Sequence, residues 1–207
     1  MKTLISIDPG VSTGIAIGTY SDTEPYKLTH YFQITGGVEG FLERFHYDEI
    51  DELDYLTIKN PVPLSPGEAM YGFFSSTGYD QLTDTEYVPF TILVEKFTAR
   101  SVSQGEFSYR TRDLEPLRIE GAILAMGIKP TWVSPPQQYF SGGEGKAKKK
   151  QAQHKWLKEH GLYVAPKDVG SADADDVRSA IAHSISYLRR SRHMPTINHY
   201  FPRGNDD

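Results

Sequence analysis

The stretch Ile5-Ser6-Ile7-Asp8-Pro9-Gly10-Val11-Ser12-Thr13-Gly14 decides how the rest of the chain is read. An apolar run closes on a carboxylate, Asp8. Gly10 then permits a tight turn and Thr13-Gly14 opens a second strand, so the acid is held at a sheet end with backbone close by. Asp-Pro-Gly alone is a common turn, so the value of Asp8 depends on what the rest of the chain brings to it. Working outward, Thr3 to Ile7, Thr13 to Thr19 and Leu28 to Thr35 are β-rich runs separated by turn residues, in the order of an antiparallel meander. Gly36-Gly37 breaks the third run, and Val38, Phe41, Leu42 and Phe45 recur at helical spacing, which predicts a short helix.

From about 48 to 88 the text is rich in Pro, Gly, Ser and Tyr with little periodicity and reads as an acidic inserted loop or small subdomain. Phe90-Thr91-Ile92-Leu93-Val94 follows as a continuous apolar run, expected of a strand buried on both faces, and it ends at Glu95. A helix is predicted over Asp113 to Met126, with Leu114, Leu117, Ile119, Ile123 and Leu124 as its apolar positions. A short strand over Lys129 to Ser134 comes next. Beyond the flexible Ser141-Gly142-Gly143-Glu144-Gly145 lie a basic helix from about Lys148 to His160, a final helix from about Ala172 to Arg190, and a short basic tail from about 189. Three antiparallel strands followed by alternating helices and strands predict an α/β fold. Its mixed five-stranded sheet carries helices on both faces, in a single domain over 1–207.

Composition narrows the chemistry. With no cysteine in 207 residues, disulfides, thiolate zinc sites and cysteine nucleophiles are excluded, and any metal must be held by oxygen or imidazole. No stretch approaches the roughly 20 apolar residues of a membrane helix, and no signal-peptide pattern precedes the first strand, so a cytoplasmic protein is expected. The net charge of -5 argues at first against a nucleic-acid partner. Its distribution reverses that reading. Nine acids stand against the single base Lys59 between His46 and Val88, and the rest of the chain carries 21 bases against 18 acids. From Lys146 to Arg203 twelve bases face five acids, so a basic surface is available locally.

Two further acid signals join Asp8. Glu95 ends an otherwise wholly apolar strand, although many strands end in a solvated charge. In Ser171-Ala172-Asp173-Ala174-Asp175-Asp176, Asp173 and Asp176 stand three apart and are expected to share one helical face while Asp175 turns away. Acids at a helix N-terminus are also favoured simply by the dipole and by capping. Together the four are more specific. Hard divalent cations such as Mg²⁺ take oxygen ligands, and phosphodiester hydrolysis uses two of them about 4 Å apart to activate water and stabilise the leaving oxygen.

These residues resemble the RuvC-type Holliday junction resolvases of the ribonuclease H-like superfamily. The resemblance rests on Ile7-Asp8-Pro9-Gly10 with Thr13-Gly14, Val94-Glu95, Arg118-x-x-Gly121-Ala122-Ile123, Asp173-x-x-Asp176 with Ala180-Ile181-Ala182, and Lys149-Lys150-Gln151 as a lysine-containing helix start. It covers most of the chain outside about 48–88. It implies a Mg²⁺-dependent endonuclease, with Mn²⁺ as substitute, acting on branched DNA as a homodimer and using two ions and no nucleotide cofactor. In the family's pattern Asp8 bridges both ions, Glu95 and Asp173 favour one, and Asp176 the other. Lys149 stabilises charge at the scissile phosphate, with Lys148 and Lys150 as possible substitutes. Lys146, Lys148, Lys150, Lys155, Phe97 and Arg100 are the expected DNA contacts. Two departures are plain. Thr98 stands where the family often places an aromatic, with Phe97 one earlier, and Gln137-Gln138-Tyr139 replaces a second lysine. Three other readings compete. A broader flap, branch or RNA-DNA hybrid nuclease would use the same acids. A non-cleaving DNA-binding module would keep only the fold. An actin-like or sugar-kinase-type ATPase shares the opening strand-turn-strand, with Asp168-Val169-Gly170-Ser171 as a second phosphate loop, but needs two such domains.

Overall fold

The computed structural model describes residues 1–45, 90–97, 114–126, 128–134 and 146–202. The insertion at about 48–88, Thr98, Arg100, Gln137-Gln138-Tyr139 and the side chain of Lys146 lie outside the described residues. Five strands, β1 (Lys2–Asp8), β2 (Ser12–Tyr20), β3 (Lys27–Thr35), β4 (Phe90–Glu95) and β5 (Thr131–Val133), form one sheet in the order β3-β2-β1-β4-β5. The first three pair antiparallel, while β4 runs parallel to both β1 and β5. This sheet order, a meander extended by two parallel strands, is the mixed five-stranded α/β arrangement expected from the sequence.

Strand periodicity sorts the side chains between two cores. Ile5, Ile7, Ile15, Ile17, Ile92 and Val94 point to one face, where Phe41 of α1 (Gly37–Phe45) and Ile119 and Ile123 of α2 (Glu115–Ala125) cover them. On the other face Leu4, Ala16 and Leu93 meet Val177, Ala180, Ile181, Ile185 and Leu188 of α4 (Asp175–Arg190) and Leu157 of α3 (Lys146–Glu159). Asp8 and Glu95 share the parity of Leu4 and Leu93. Both carboxylates therefore end their strands on the side covered by α4.

Three sequence expectations change. On α2 the expected apolar positions Leu117 and Leu124 are 51% and 53% exposed, while Glu115 and Glu120 are buried. The reason is hydrogen bonding. Glu115 accepts the Val38 N–H at 2.7 Å at the start of α1 and pairs with Arg118 at 2.5 Å, and Glu120 accepts the Phe97 N–H where the chain leaves β4. The last long helix begins at Asp175, not Ala172, which leaves Asp173 ahead of it. Finally, the segment expected as a tail from about 189 completes α4 and then folds back as α5 (Met194–Tyr200). Its buried Thr196 receives the Tyr26 N–H at 2.9 Å, and the Tyr200 hydroxyl donates to the Tyr26 carbonyl at 2.9 Å. No helix among the described residues is long and apolar enough to cross a membrane.

Candidate active site

The site grows from the turn at the end of β1. The Thr13 hydroxyl closes that turn against the backbone of Gly10, accepting its N–H at 3.4 Å and lying 3.3 Å from its carbonyl. Asp8 thereby comes opposite Gly14 on β2, while Ile7 pairs with Val94 on β4, so Asp8 and Glu95 end neighbouring parallel strands. Gly14 is what lets the third acid in. A Cβ there would lie 2.0 Å from the carbonyl carbon of Asp176 and 2.3 Å from the Val177 nitrogen, so the first turn of α4 rests directly on the β2 backbone. That contact carries Asp176 into the electrostatic reach of Asp8.

The first two turns of α4 present one polar stripe to the sheet end, at Asp176, Ser179 and His183, spaced as a single helical face. Ser179 hydrogen-bonds the Asp8 carboxylate. His183, fully buried, places Nε2 2.6 Å from Glu95 Oε2. A ring nitrogen of His183 and a carboxylate oxygen from each of Asp8 and Glu95 lie within 4.8 Å of one another. Sequence reasoning named the acids and missed His183 and Ser179. The signal was present as polar residues recurring at three and seven positions from Asp176, but Arg178, Ser184 and Ser186 on the same helix kept it from standing out.

The charges are poised for a cation. Burial pushes the Asp8 carboxyl well above its usual range, and Glu95 and Asp176 add to the effect, against a lowering by Ser179 and Lys150. Burial, then Asp173, pushes Asp176 up to about 6, with Lys150 opposing and Glu95 adding. Oxygen donors from three elements, crowded so that their negative charge is disfavoured without a counter-charge, fit a hard divalent ion that would supply it.

The other expected residues divide. Asp173 is exposed and lies outside α4, so it does not share a helical face with Asp176; its Oδ1 instead accepts the Asp175 N–H at 2.8 Å, the capping role open to an acid at this place. Its charge nonetheless acts on Asp176. Asp175, turned away from Asp8 as expected, binds Arg178 at 2.7 Å, His154 at 3.1 Å and the Lys150 ammonium. This hub, with Gln153 donating to the Arg178 carbonyl at 3.2 Å, fastens α3 to α4. It also holds Lys150 where its charge reaches both Asp8 and Asp176. Lys149 is half-buried on the same helix, while Lys148 and Lys155 are exposed and border, with Gln151 and Ala152, a shallow depression on its outer side. Phe97 is partly buried just past β4.

No profile of a known protein family matches the chain, and no curated protein does. Among solved structures it is similar to RuvC of Thermus thermophilus, at 15% identity over 91% of this chain and 96% of that one, with a TM-score of 0.47. It is also similar to T. thermophilus RuvC in complex with a Holliday junction substrate, at 12% identity over 93% and 97%, TM-score 0.40. A third match is the Fowlpox virus resolvase in complex with Holliday junction DNA, at 17% identity over 90% and 99%, TM-score 0.41. Sheet order and site together define the class. The chain is an α/β domain built on a mixed five-stranded sheet, with a carboxylate cluster where β1 and β4 end beneath α4.

Proposed function

We propose that this chain is a divalent-metal-dependent endonuclease that hydrolyses phosphodiester bonds in branched DNA, Holliday junctions foremost. The observation that carries the reading is the convergence of Asp8, Glu95 and Asp176, from two parallel strand ends and one helix, on a single partly buried spot. Asp8, Glu95, Asp173 and Asp176 would hold two Mg²⁺ ions, which would supply an activated water and stabilise the leaving oxygen. The protein's own part is to position and to balance charge. An ion there would displace any proton held on Asp8 or Asp176, while Ser179 orients Asp8 and Lys150, held by Asp175, supports negative charge beside the acids, a task also open to Lys149. Lys148 and Lys155 give α3 an exposed cationic side next to this site, suited to phosphates. Cutting two symmetric strands of a junction would need a homodimer, with Phe97 and Arg100 near the DNA.

The test is cleavage of matched four-way, flap, duplex and RNA-DNA hybrid substrates with Mg²⁺ or Mn²⁺, comparing wild type with Asp8→Asn. Paired symmetric nicks in the four-way substrate, lost in Asp8→Asn, are expected. Equal cutting by both proteins overturns the metal site. Preference for flaps or hybrids redirects the substrate, and binding without cleavage by either protein leaves a non-catalytic module.

A further inference from the structure

We propose that His183 is a positioning residue for Glu95, holding its carboxylate in place and biasing it towards binding an ion through one oxygen. This inference rests on the metal-dependent nuclease reading. His183 is fully buried on α4, flanked in sequence by the buried Ala182 and Ser184 and close to the core residues Ile181 and Ile185. An imidazole in such a setting costs stability compared with an aliphatic side chain of similar volume, unless its polar atoms are used. Only one is. Nε2 lies 2.6 Å from Glu95 Oε2, whereas Nδ1 has no hydrogen-bond partner among the described residues. A contact that short between a ring nitrogen and a carboxylate oxygen needs a proton between them, so Nε2–H donates and that nitrogen has no lone pair left for a metal. His183 therefore acts through Glu95 and not as a ligand itself.

Two consequences follow for the ion. Glu95 ends β4 with its backbone still paired to Val133, so the strand fixes its main chain and the buried ring fixes its carboxylate. With one lone pair of Oε2 engaged, Glu95 is biased towards binding an ion through Oε1. A one-oxygen carboxylate suits the small octahedral shell of Mg²⁺ or Mn²⁺ better than Ca²⁺, which readily takes two oxygens of one carboxylate.

Binding of Mn²⁺ and Ca²⁺ alone, measured by calorimetry on the full chain without DNA, tests this apart from cleavage. His183→Leu, which keeps the packing and removes the donor, should weaken Mn²⁺ binding about 10- to 100-fold, the usual cost of losing an outer partner of a metal ligand. Ca²⁺ binding should fall less. His183→Gln, whose amide reaches as far as Nε2, should recover most of the Mn²⁺ affinity, and His183→Asn, which falls short, should not. The loss should disappear when the same substitutions are made beside Glu95→Gln. Unchanged Mn²⁺ affinity in both His183→Leu and His183→Asn overturns the proposal. So does a directly bound imidazole nitrogen in the spin-echo spectrum of the wild-type Mn²⁺ complex. If wild type and Asp8→Asn bind Mn²⁺ equally, the nuclease reading itself fails, an outcome distinct from either of these.

Discussion

At the scale of single residues, the acids of the site act on stability as well as on chemistry. Asp176 titrates at about 6 in the folded chain against an ordinary 3.8, and Asp8 is raised as well. Between those values the folded chain binds more protons than the unfolded one. The Asp176 contribution to stability is therefore full below about pH 4 and lost as pH rises through about 6, and Asp8 acts in the same direction. Above that range, without metal, three neighbouring carboxylates repel. Thermal unfolding of the metal-free protein should accordingly show a falling Tm from pH 4 to 7. Asp8→Asn should raise Tm at pH 7.5 by about 3 °C, the response of a domain of this size to roughly 1 kcal/mol. Mg²⁺ or Mn²⁺ at about 100 times its Kd should add roughly 2.7 kcal/mol to wild type and little to Asp8→Asn. A variant that is no more stable than wild type, or one stabilised equally by metal, would contradict this account.

At the scale of elements, the site depends on how closely α4 can approach the sheet. Gly14 faces helix backbone, which cannot swing aside as a side chain can. Gly14→Ala should therefore push the start of α4 outward and lower stability by about 1–3 kcal/mol, as overpacking does. It should also weaken cation binding, because Asp176 moves away from Asp8. Gly121 on α2 provides the contrast. A Cβ there meets nothing within 4 Å, so Gly121→Ala should stabilise the helix by about 0.5–1 kcal/mol in denaturant unfolding and leave metal affinity alone. The join between α3 and α4 is the second dependency. Arg178 is buried, stacks 4.4 Å from the Tyr163 ring centroid and donates to the Val164 carbonyl at 2.9 Å, with Asp175 balancing its charge. Asp175→Ala should cost about 3 kcal/mol, because it strands a buried cation. It should also reduce cleavage by freeing Lys150 from the acids; an unchanged urea midpoint would refute the strapping role.

For the whole molecule, the question is how a chain of net charge -5 meets DNA. The exposed Lys148 and Lys155 stand two turns apart on the outer side of α3, away from the buried Gln153 and Leu157. Lys148→Gln with Lys155→Gln should make four-way junction binding less salt-dependent, with a log-log slope shallower by about 2 if each lysine neutralises one phosphate. Tm should not change, and an unaltered slope would move the DNA to another surface. The sequence by itself determined the strand runs, their sheet-end acids Asp8 and Glu95, the sheet class and the basic α3, because alternation and strand length depend on near neighbours in the chain. It misplaced Asp173 on the helix, because an acid next to an N-terminus can cap from outside or lie within, and the backbone decides which. It read Leu117 and Leu124 as core, because the helical pattern could not show that Glu115 and Glu120 would find backbone donors in α1 and beyond β4. His183 was one of several polar residues on α4, with nothing local to single it out. Its pairing with Glu95, 88 positions away, exists because α4 crosses the ends of β1 and β4. Only the tertiary structure decided that, since the packing of Gly14 against Asp176 sets how close the helix lies and which of its faces meets the acids.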